Sequence, residues 1–384
     1  MRLQPIFISV FCLLLLFLGG CKAPSTVFQT SDFQPIPSVF PEGNAALNNA
    51  AVPWATFFKD TNLVSLINTA LSQNFEVKKL EQRILMADAQ ILYARGQLRP
   101  FTTFGVSEGV KRFGKYTIDG VGNFDTNFSN NISPDQRIPQ FIPDLYLGTM
   151  SSWEIDVFRK LRSRRQAAIA RYMASMEGRS LYITNLVADI AGSYYDLIAS
   201  DLELDFIRET ITLQKNQLDI IKLEKETGRG TELPVQQFEA QVLNSQGIER
   251  ELVQRINLAE NRINYLLGRY PQPIRRDKNT FLRVQPQEVF TGIPSDLLRN
   301  RPDIRQAELE LTAAKADVAA ARAAFLPSFN IGLGLGLQSF NLKYFLSPES
   351  LTLDLLGGLT APLINRSMIK SEFNVSKAVQ FEAL

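Results

Sequence analysis

The chain has 384 residues, 45% of them hydrophobic and 21% charged, with 41 basic and 39 acidic side chains and a net charge of +2. That composition excludes a wholly disordered or collagen-like protein, and the near-neutral charge gives no whole-chain case for nucleic-acid binding. Histidine is absent and the two cysteines, Cys12 and Cys21, both lie at the extreme N-terminus, which leaves no zinc-finger spacing, no disulfide framework and no histidine base.

Residues 1–20 read as a secretory signal. Arg2 is the lone charge, and Ile6 to Leu18 form an apolar run too short for a spanning helix. The run ends in Leu18-Gly19-Gly20-Cys21, which resembles the lipobox of bacterial lipoproteins; the resemblance makes Cys21 the lipid-attachment residue. A chance Gly-Gly-Cys after a plain signal peptide is the alternative. One lipid anchor holds a bilayer only modestly, so a second membrane contact is expected elsewhere. No later apolar run is long enough to span, so any crossing by the mature chain requires a closed β-barrel. Residues 21–53, with Pro24, Pro35, Pro37, Pro41 and Pro53, read as an extended tether.

Helix is predicted over 60–98 with Asp60 as its N-cap. Residues 100–157 then hold six glycines and four prolines, with strands expected at about 100–112 and 143–157. Residues 158–268 contain one proline, Pro234, and read as a helical hairpin over 159–268. Its first helix, 159–227, would be about 100 Å long and calls for coiled-coil partners. Leu186, Ile190, Tyr194, Leu197, Leu204, Ile207, Ile211, Leu218 and Ile221 form one apolar row; Leu202, Phe206, Leu213 and Ile220 form a second. Two rows suit a helix packed on both sides. Leu252, Ile256, Ala259, Ile263 and Leu266 mark the return helix. Gly228, Arg229, Gly230, Thr231 and Glu232 make the tip. There Gly228 and Gly230 are expected to take positive φ, Thr231 to cap the returning helix, and Arg229 and Glu232 to stay exposed. An ordinary helical hairpin without a channel role gives the same periodicity.

Residues 269–295 form a mixed linker, and Pro302 to Ala324 is helical again. The strand expected at 327–338 puts Phe329, Ile331, Leu333, Leu335 and Leu337 on one face and Asn330, Gly332, Gly334 and Gly336 on the other. A further strand is expected at about 350–361. Such alternation suits a barrel with lipid outside and water inside, although a half-buried soluble sheet alternates likewise. An offset of 227 pairs Glu81 with Glu308, Ala94 with Ala321, Arg95 with Arg322 and Pro100 with Pro327. The chain therefore divides into a first repeat, 54–268, and a second, 296–384. Two strands per repeat cannot close a barrel, so closure requires other copies of the chain. The repeat also predicts a second long hairpin after Pro362, of which only the start, Asn374 to Leu384, is present; the chain reads as C-terminally shortened.

Glu154 and Asp156 share a strand face, either as a carboxylate pair or, more simply, facing Arg159 and Arg162. The run Arg159-Lys160-Leu161-Arg162-Ser163-Arg164-Arg165 suits lipid phosphates better than nucleic acid. Gly332-x-Gly334-x-Gly336 opens no helix and is no phosphate loop. Arg301 and Asp303 are expected to pair at a helix start. No cofactor, metal site or catalytic group is expected.

The residues Trp54, Phe57, Asp60, Leu63, Leu66, Ala70-Leu71 and Asn74, then Ser152-Trp153-Glu154-Ile155-Asp156-Val157-Phe158 and Leu266-Leu267-Gly268, resemble the TolC-like outer-membrane efflux proteins. So do Leu297-Leu298-Arg299-Asn300-Arg301-Pro302-Asp303-Ile304-Arg305-Gln306-Ala307-Glu308 and Ala319 to Ser328. The match is to the lipidated branch that serves pumps of the resistance–nodulation–division type. The resemblance implies a mainly α fold with membrane strands: a homotrimer with a twelve-stranded barrel in the outer membrane, continued by a long periplasmic α-helical barrel. It implies an exit duct for small amphipathic solutes, a periplasmic adaptor (membrane fusion protein) meeting the tip at 228–232, an inner-membrane RND-type transporter, and no enzyme activity. Within the family, type I protein secretion is the alternative; outside it, a non-conducting coiled-coil lipoprotein. Pro234 departs from the family, which usually has Asp there. The absent second hairpin carries, in the family, much of the periplasmic gate.

Overall fold

The computed structural model describes residue 24 and residues 52–278 and 299–384. The signal segment, Cys21, most of the tether, residues 279–295 of the linker and Leu297-Leu298 lie outside the described residues. The described residues form two compact units, one of Ala87–Tyr172 and Leu309–Leu384, the other of residues 52–86, 173–278 and 299–308. In chain order the elements are α1 (Trp54–Phe57), α2 (Thr61–Gln73), α3 (Phe75–Gly96), β1 (Phe101–Lys111), α4 (Ile118–Thr126), β2 (Ile142–Ile155), α5 (Lys160–Glu226) and α6 (Glu232–Leu266). There follow α7 (Pro302–Ala323), β3 (Ser328–Ser339), β4 (Leu351–Thr360) and α8 (Ser367–Glu382).

In the unit containing residue 194, Asp60 caps α2 by accepting from the amides of Asn62 and Leu63 at 2.8 and 3.4 Å. The single helix expected over 60–98 is two. Asn74 breaks it, leaving the helical region at ψ 128°. Its side-chain oxygen accepts the Val77 amide at 3.0 Å, and its Nδ2 donates to the Leu266 carbonyl at 2.8 Å. The side chain thus caps the start of α3 and satisfies a carbonyl at the end of α6. Leu63, Ile67, Ile190, Tyr194, Leu197, Ile263 and Leu267 form the fully buried centre of this unit. Each large aliphatic there contributes about 1.5–3 kcal/mol through burial. The first apolar row of α5 is buried except for Ile207, which is partly so. In the second row Leu202 is partly buried, whereas Phe206, Leu213 and Ile220 are 70%, 63% and 51% exposed.

In the other unit, β1 to β4 form an antiparallel sheet in sequence order. β2 stops at Ile155, short of the expected 157, because Asp156 turns out to serve α5. Its carboxylate accepts the amides of Leu161 and Arg162 at 3.0 and 2.8 Å and pairs with the Arg162 guanidinium at 3.1 Å. Arg159 takes positive φ, 63°, to make that turn. Glu154 pairs separately with Lys160 at 2.6 Å, so the two carboxylates do not act together. The helix α8 starts at Ser367 rather than at Asn374, and Phe373 packs with Phe325, Val318 and Ala321. α3 and α7 are both 22 residues long and are followed by Pro100 and Pro327 before β1 and β3.

Candidate functional site: an amphipathic sheet and a hairpin turn

The register of the sheet decides which side chains share a face, because directly opposed residues project to the same side. Opposite Phe329, Ile331, Leu333, Leu335 and Leu337 on β3 stand Leu359, Gly357, Leu355, Leu353 and Leu351 on β4. On β2 the same face carries Ile155, Trp153, Ser151, Thr149 and Leu147, and on β1 Phe104 and Val106. This face is apolar on β3 and β4 and mixed on β2 and β1, where Thr149 and Ser151 alternate with the apolar residues and Thr102 and Glu108 fall on the same side. Leu333 and Leu335 are 42% and 47% exposed on it.

The opposite face carries Asn330, Gly332, Gly334, Gly336 and Gln338, with Asp354 and Thr352 on β4 and Asp144, Tyr146 and Gly148 on β2. Lys111 and Gln338 both bond the Asp144 carboxylate, at 2.5 and 2.8 Å. Glycines serve two purposes there. Gly105, Gly148 and Gly336 form a continuous row across β1, β2 and β3. A Cβ on Gly336 would lie 2.6 Å from the Leu147 carbonyl and 3.0 Å from the Tyr146 ring. Tyr146 thus fills the trough at Gly148 and Gly336, while Gly105 has open space beside it. At Gly332, by contrast, nothing comes closer than 3.8 Å, so that position stays small and open. The strand β3 alone cannot reveal the trough, since it depends on register.

The hairpin turn belongs to the other unit. α5 ends with the Thr227 hydroxyl donating to the Leu223 and Glu224 carbonyls, both at 3.0 Å. Gly228 has φ 75°, and the Arg229 amide closes on the Glu224 carbonyl at 2.8 Å, a left-handed helix stop. Two expectations are corrected. Gly230 does not take positive φ; its role is close approach, since a Cβ there would sit 3.2 Å from the Lys225 nitrogen. Thr231 stands at the N-cap of α6 with extended backbone, but its side chain makes no capping bond. Glu232 is exposed, as expected, and is also engaged within its own hairpin: its carboxylate accepts from the Gln236 amide at 2.8 Å and pairs with Lys225. Those two contacts, the Gln236 bond first, hold its carboxyl below the usual range. Arg229 is exposed. Below the turn, Leu218, Ile221, Val235 and Val242 close the hairpin with Phe238 against them.

Arg301 pairs with Asp303 at the start of α7 with a 3.0 Å contact, as the spacing predicts. Among the described residues no group of three His, Cys, Asp or Glu side chains is placed to hold a metal, and no helix is long and apolar enough to cross a membrane.

The profile of the outer membrane efflux protein family matches residues 144–269 and 293–383. The chain is 27% identical to the solvent efflux pump outer membrane protein SrpC of Pseudomonas putida, over 94% of this chain and 75% of that one. It is 24% identical to the cation efflux system protein CusC of Escherichia coli K12, over 100% of this chain and 79% of that one. The fold superimposes on a crystal structure of a membrane protein from Pseudomonas aeruginosa with a TM-score of 0.79 at 23% identity, covering 94% and 78% of the two chains. The open state of the MtrE outer membrane channel of Neisseria gonorrhoeae gives 0.74 at 20% identity, covering 94% and 77%. The mixture of long helices and a short meander is thus the TolC-like channel fold.

Proposed function

Because this chain belongs to the outer membrane efflux protein family, we propose that three copies assemble into a passive exit duct that carries small amphipathic solutes across the outer membrane. An inner-membrane RND-type transporter supplies the energy, and a periplasmic adaptor joins the two. The observation that carries this reading is the register of the sheet, which sets the five apolar residues of β3 beside Leu351, Leu353, Leu355 and Leu359 on one face and its glycines, Asn330 and Gln338 beside Thr352, Asp354 and Leu356 on the other. Four strands with free edges β1 and β4 cannot close alone. Twelve can, with the leucine face toward lipid and the Gly332–Gln338 face toward a water-filled lumen. The exposed row of Phe206, Leu213 and Ile220 supports the same reading, since it offers α5 a second packing surface for a neighbouring copy. At the tip, the exposed Arg229 is the residue we assign to the adaptor contact, with Gly228 and Gly230 shaping the turn. Cys21 would add a lipid anchor to the barrel. A duct has no reaction to catalyse, and no residue is assigned a catalytic role.

Conductance in planar bilayers tests the reading. A duct gives stepwise ion currents whose cation preference falls when Asp354→Asn removes a lumenal carboxylate. A trimer that inserts and never conducts is a spacer, and the proposal fails.

A further inference from the structure

Residues 112–141 join β1 to β2 and carry α4, at the end of the sheet away from the helices that lead into and out of it. The conformation of this connection is tightly specified. The Thr117 hydroxyl accepts the Gly120 amide at 3.1 Å. Gly120 lies so close to Gly114 that a Cβ would come 2.0 Å from the Gly114 carbonyl. At the far end Asn127 exchanges two hydrogen bonds with the backbone of Ile138, at 2.9 and 2.8 Å. These contacts turn Gly120, Asn123 and Asn127 inward, where they are half-buried. Ile118, Val121, Phe124 and Phe128 are left 92%, 56%, 67% and 71% exposed. Asp119, Asp125 and Thr126 are exposed beside them, so the outward side of α4 mixes large apolar groups with two carboxylates, whereas a helix on a globular protein turns its apolar residues inward.

A cavity of about 640 Å³ opens beside that stripe, lined by Phe113, Val121, Phe124, Ile138, Pro139 and Ile142. Arg112 and Lys115 stand at the same cavity. Arg112 lies over the Phe141 ring at 5.1 Å, and neither cation has an ion-pair partner among the described residues. Arg112 follows the last residue of β1 and Ile142 is the first of β2, so the cavity begins where the leucine-rich sheet ends.

We propose that this connection is a binding site for an anionic lipid of the outer leaflet. An acyl chain enters the cavity, Arg112 and Lys115 take the phosphate, and the outward stripe of α4 lies at the lipid–water interface. The inference rests on the lipid-facing reading of the sheet. Size favours lipid over protein: a nine-residue helix with three outward apolar side chains, and Phe128 just beyond it, falls short of the roughly 800 Å² per side of a stable protein interface. A cavity of some hundreds of cubic ångströms, apolar with a few polar groups at its edge, is by contrast the usual form of a small-ligand pocket. Aromatic groups beside cations suit an anionic membrane surface. Here α4 and Phe113 supply the aromatic groups and Arg112 and Lys115, ahead of the helix, supply the cations, while Asp119 and Asp125 on α4 face solvent.

The test reconstitutes the full chain into vesicles of phosphatidylcholine and phosphatidylglycerol, with one lipid or the other brominated on its acyl chains, and reads tryptophan quenching. With Trp54 replaced by Phe throughout, Trp153, on the same face of β2 as Ile331, reports the sheet. Phe124→Trp and, independently, Val121→Trp report the cavity. We expect added quenching at both reporters, stronger with brominated phosphatidylglycerol, and an Arg112→Ala change that cuts the anionic preference by roughly fivefold without altering the Trp153 signal. Quenched Trp153 with neither reporter quenched overturns the lipid site and leaves the sheet reading standing. Reporter quenching that ignores headgroup and Arg112→Ala overturns the phosphate contact. A disulfide between copies through Phe124→Cys shows that a second chain covers the stripe, and also overturns the proposal. No quenching of Trp153 removes the sheet reading and the lipid site together.

Discussion

Gly148 and Gly336 stand directly opposite one another across β2 and β3, so close that a Cβ on Gly148 would come 2.6 Å from the Gly336 Cα. The contact is backbone on backbone, so a methyl group cannot be accommodated by turning a side chain. Gly148→Ala and Gly336→Ala are expected to destabilise the sheet by about 1–3 kcal/mol each, as overpacking does. Gly332→Ala, with nothing nearer than 3.8 Å, should be near neutral. The temperature at which the assembled barrel loses its compact mobility in a gel measures the difference.

Charge placement separates the faces. Arg at Leu333 should cost about 2–4 kcal/mol if that residue meets acyl chains near the midplane. Gly334→Arg should be tolerated, since Asp354 lies directly across from it. Yield of folded barrel in membranes reads both variants; equal loss would point to a sheet apolar on one side for reasons other than lipid.

The helical unit should weaken in alkali. Burial, and next the hydrogen bond its hydroxyl donates to Asp60 at 2.8 Å, raise the Tyr194 pKa above its ordinary value of 10.0. A raised pKa means that stability is whole below that ordinary value and declines as pH climbs above it, because the unfolded chain ionises first. Urea midpoints across this range should fall less steeply in Tyr194→Phe, with Tyr182 and Tyr195, also raised, supplying the residual slope. At neutral pH the same variant should lose about 1–3 kcal/mol, since Asp60 keeps a buried oxygen without its donor.

At the hairpin, Arg229→Glu should lower efflux while trimer formation persists, because Arg229 is exposed. Gly228→Ala should cost about 1–2 kcal/mol through its positive φ. Solute accumulation in cells and cross-linking of a cysteine at 229 to an adaptor read the first effect, and thermal unfolding reads the second. Wild-type efflux with Arg229→Glu would remove that residue from the adaptor contact.

The long helices and β3 were legible because each rests on a pattern that repeats within a short window: a three-four spacing, an alternation. What escaped depends on partners remote in sequence. Asn74 breaks a helix that propensity would continue, because its amide meets the carbonyl of Leu266. Asp156 read as a strand residue and is in fact the cap of α5, placed by the unusual backbone of Arg159. The helix α4 was hidden by Gly120 and Gly122, poor helix formers by propensity, and is held by Gly114 and Ile138. At the tip, residue types gave the turn, while the engagement of Glu232 by Lys225 and Gln236 required the two helices to be placed side by side.

The account stands on the claim that one face of β3 meets lipid and the other meets water. Single cysteines at Gly332 and Leu333, adjacent on the strand and opposite in face, test it in intact vesicles with a membrane-impermeant charged thiol reagent. Rapid labelling at 332 with protection at 333 is the predicted result, and a brominated-lipid or spin-label probe should report 333 alone. Comparable labelling at both positions, or protection at 332 with labelling at 333, would contradict it.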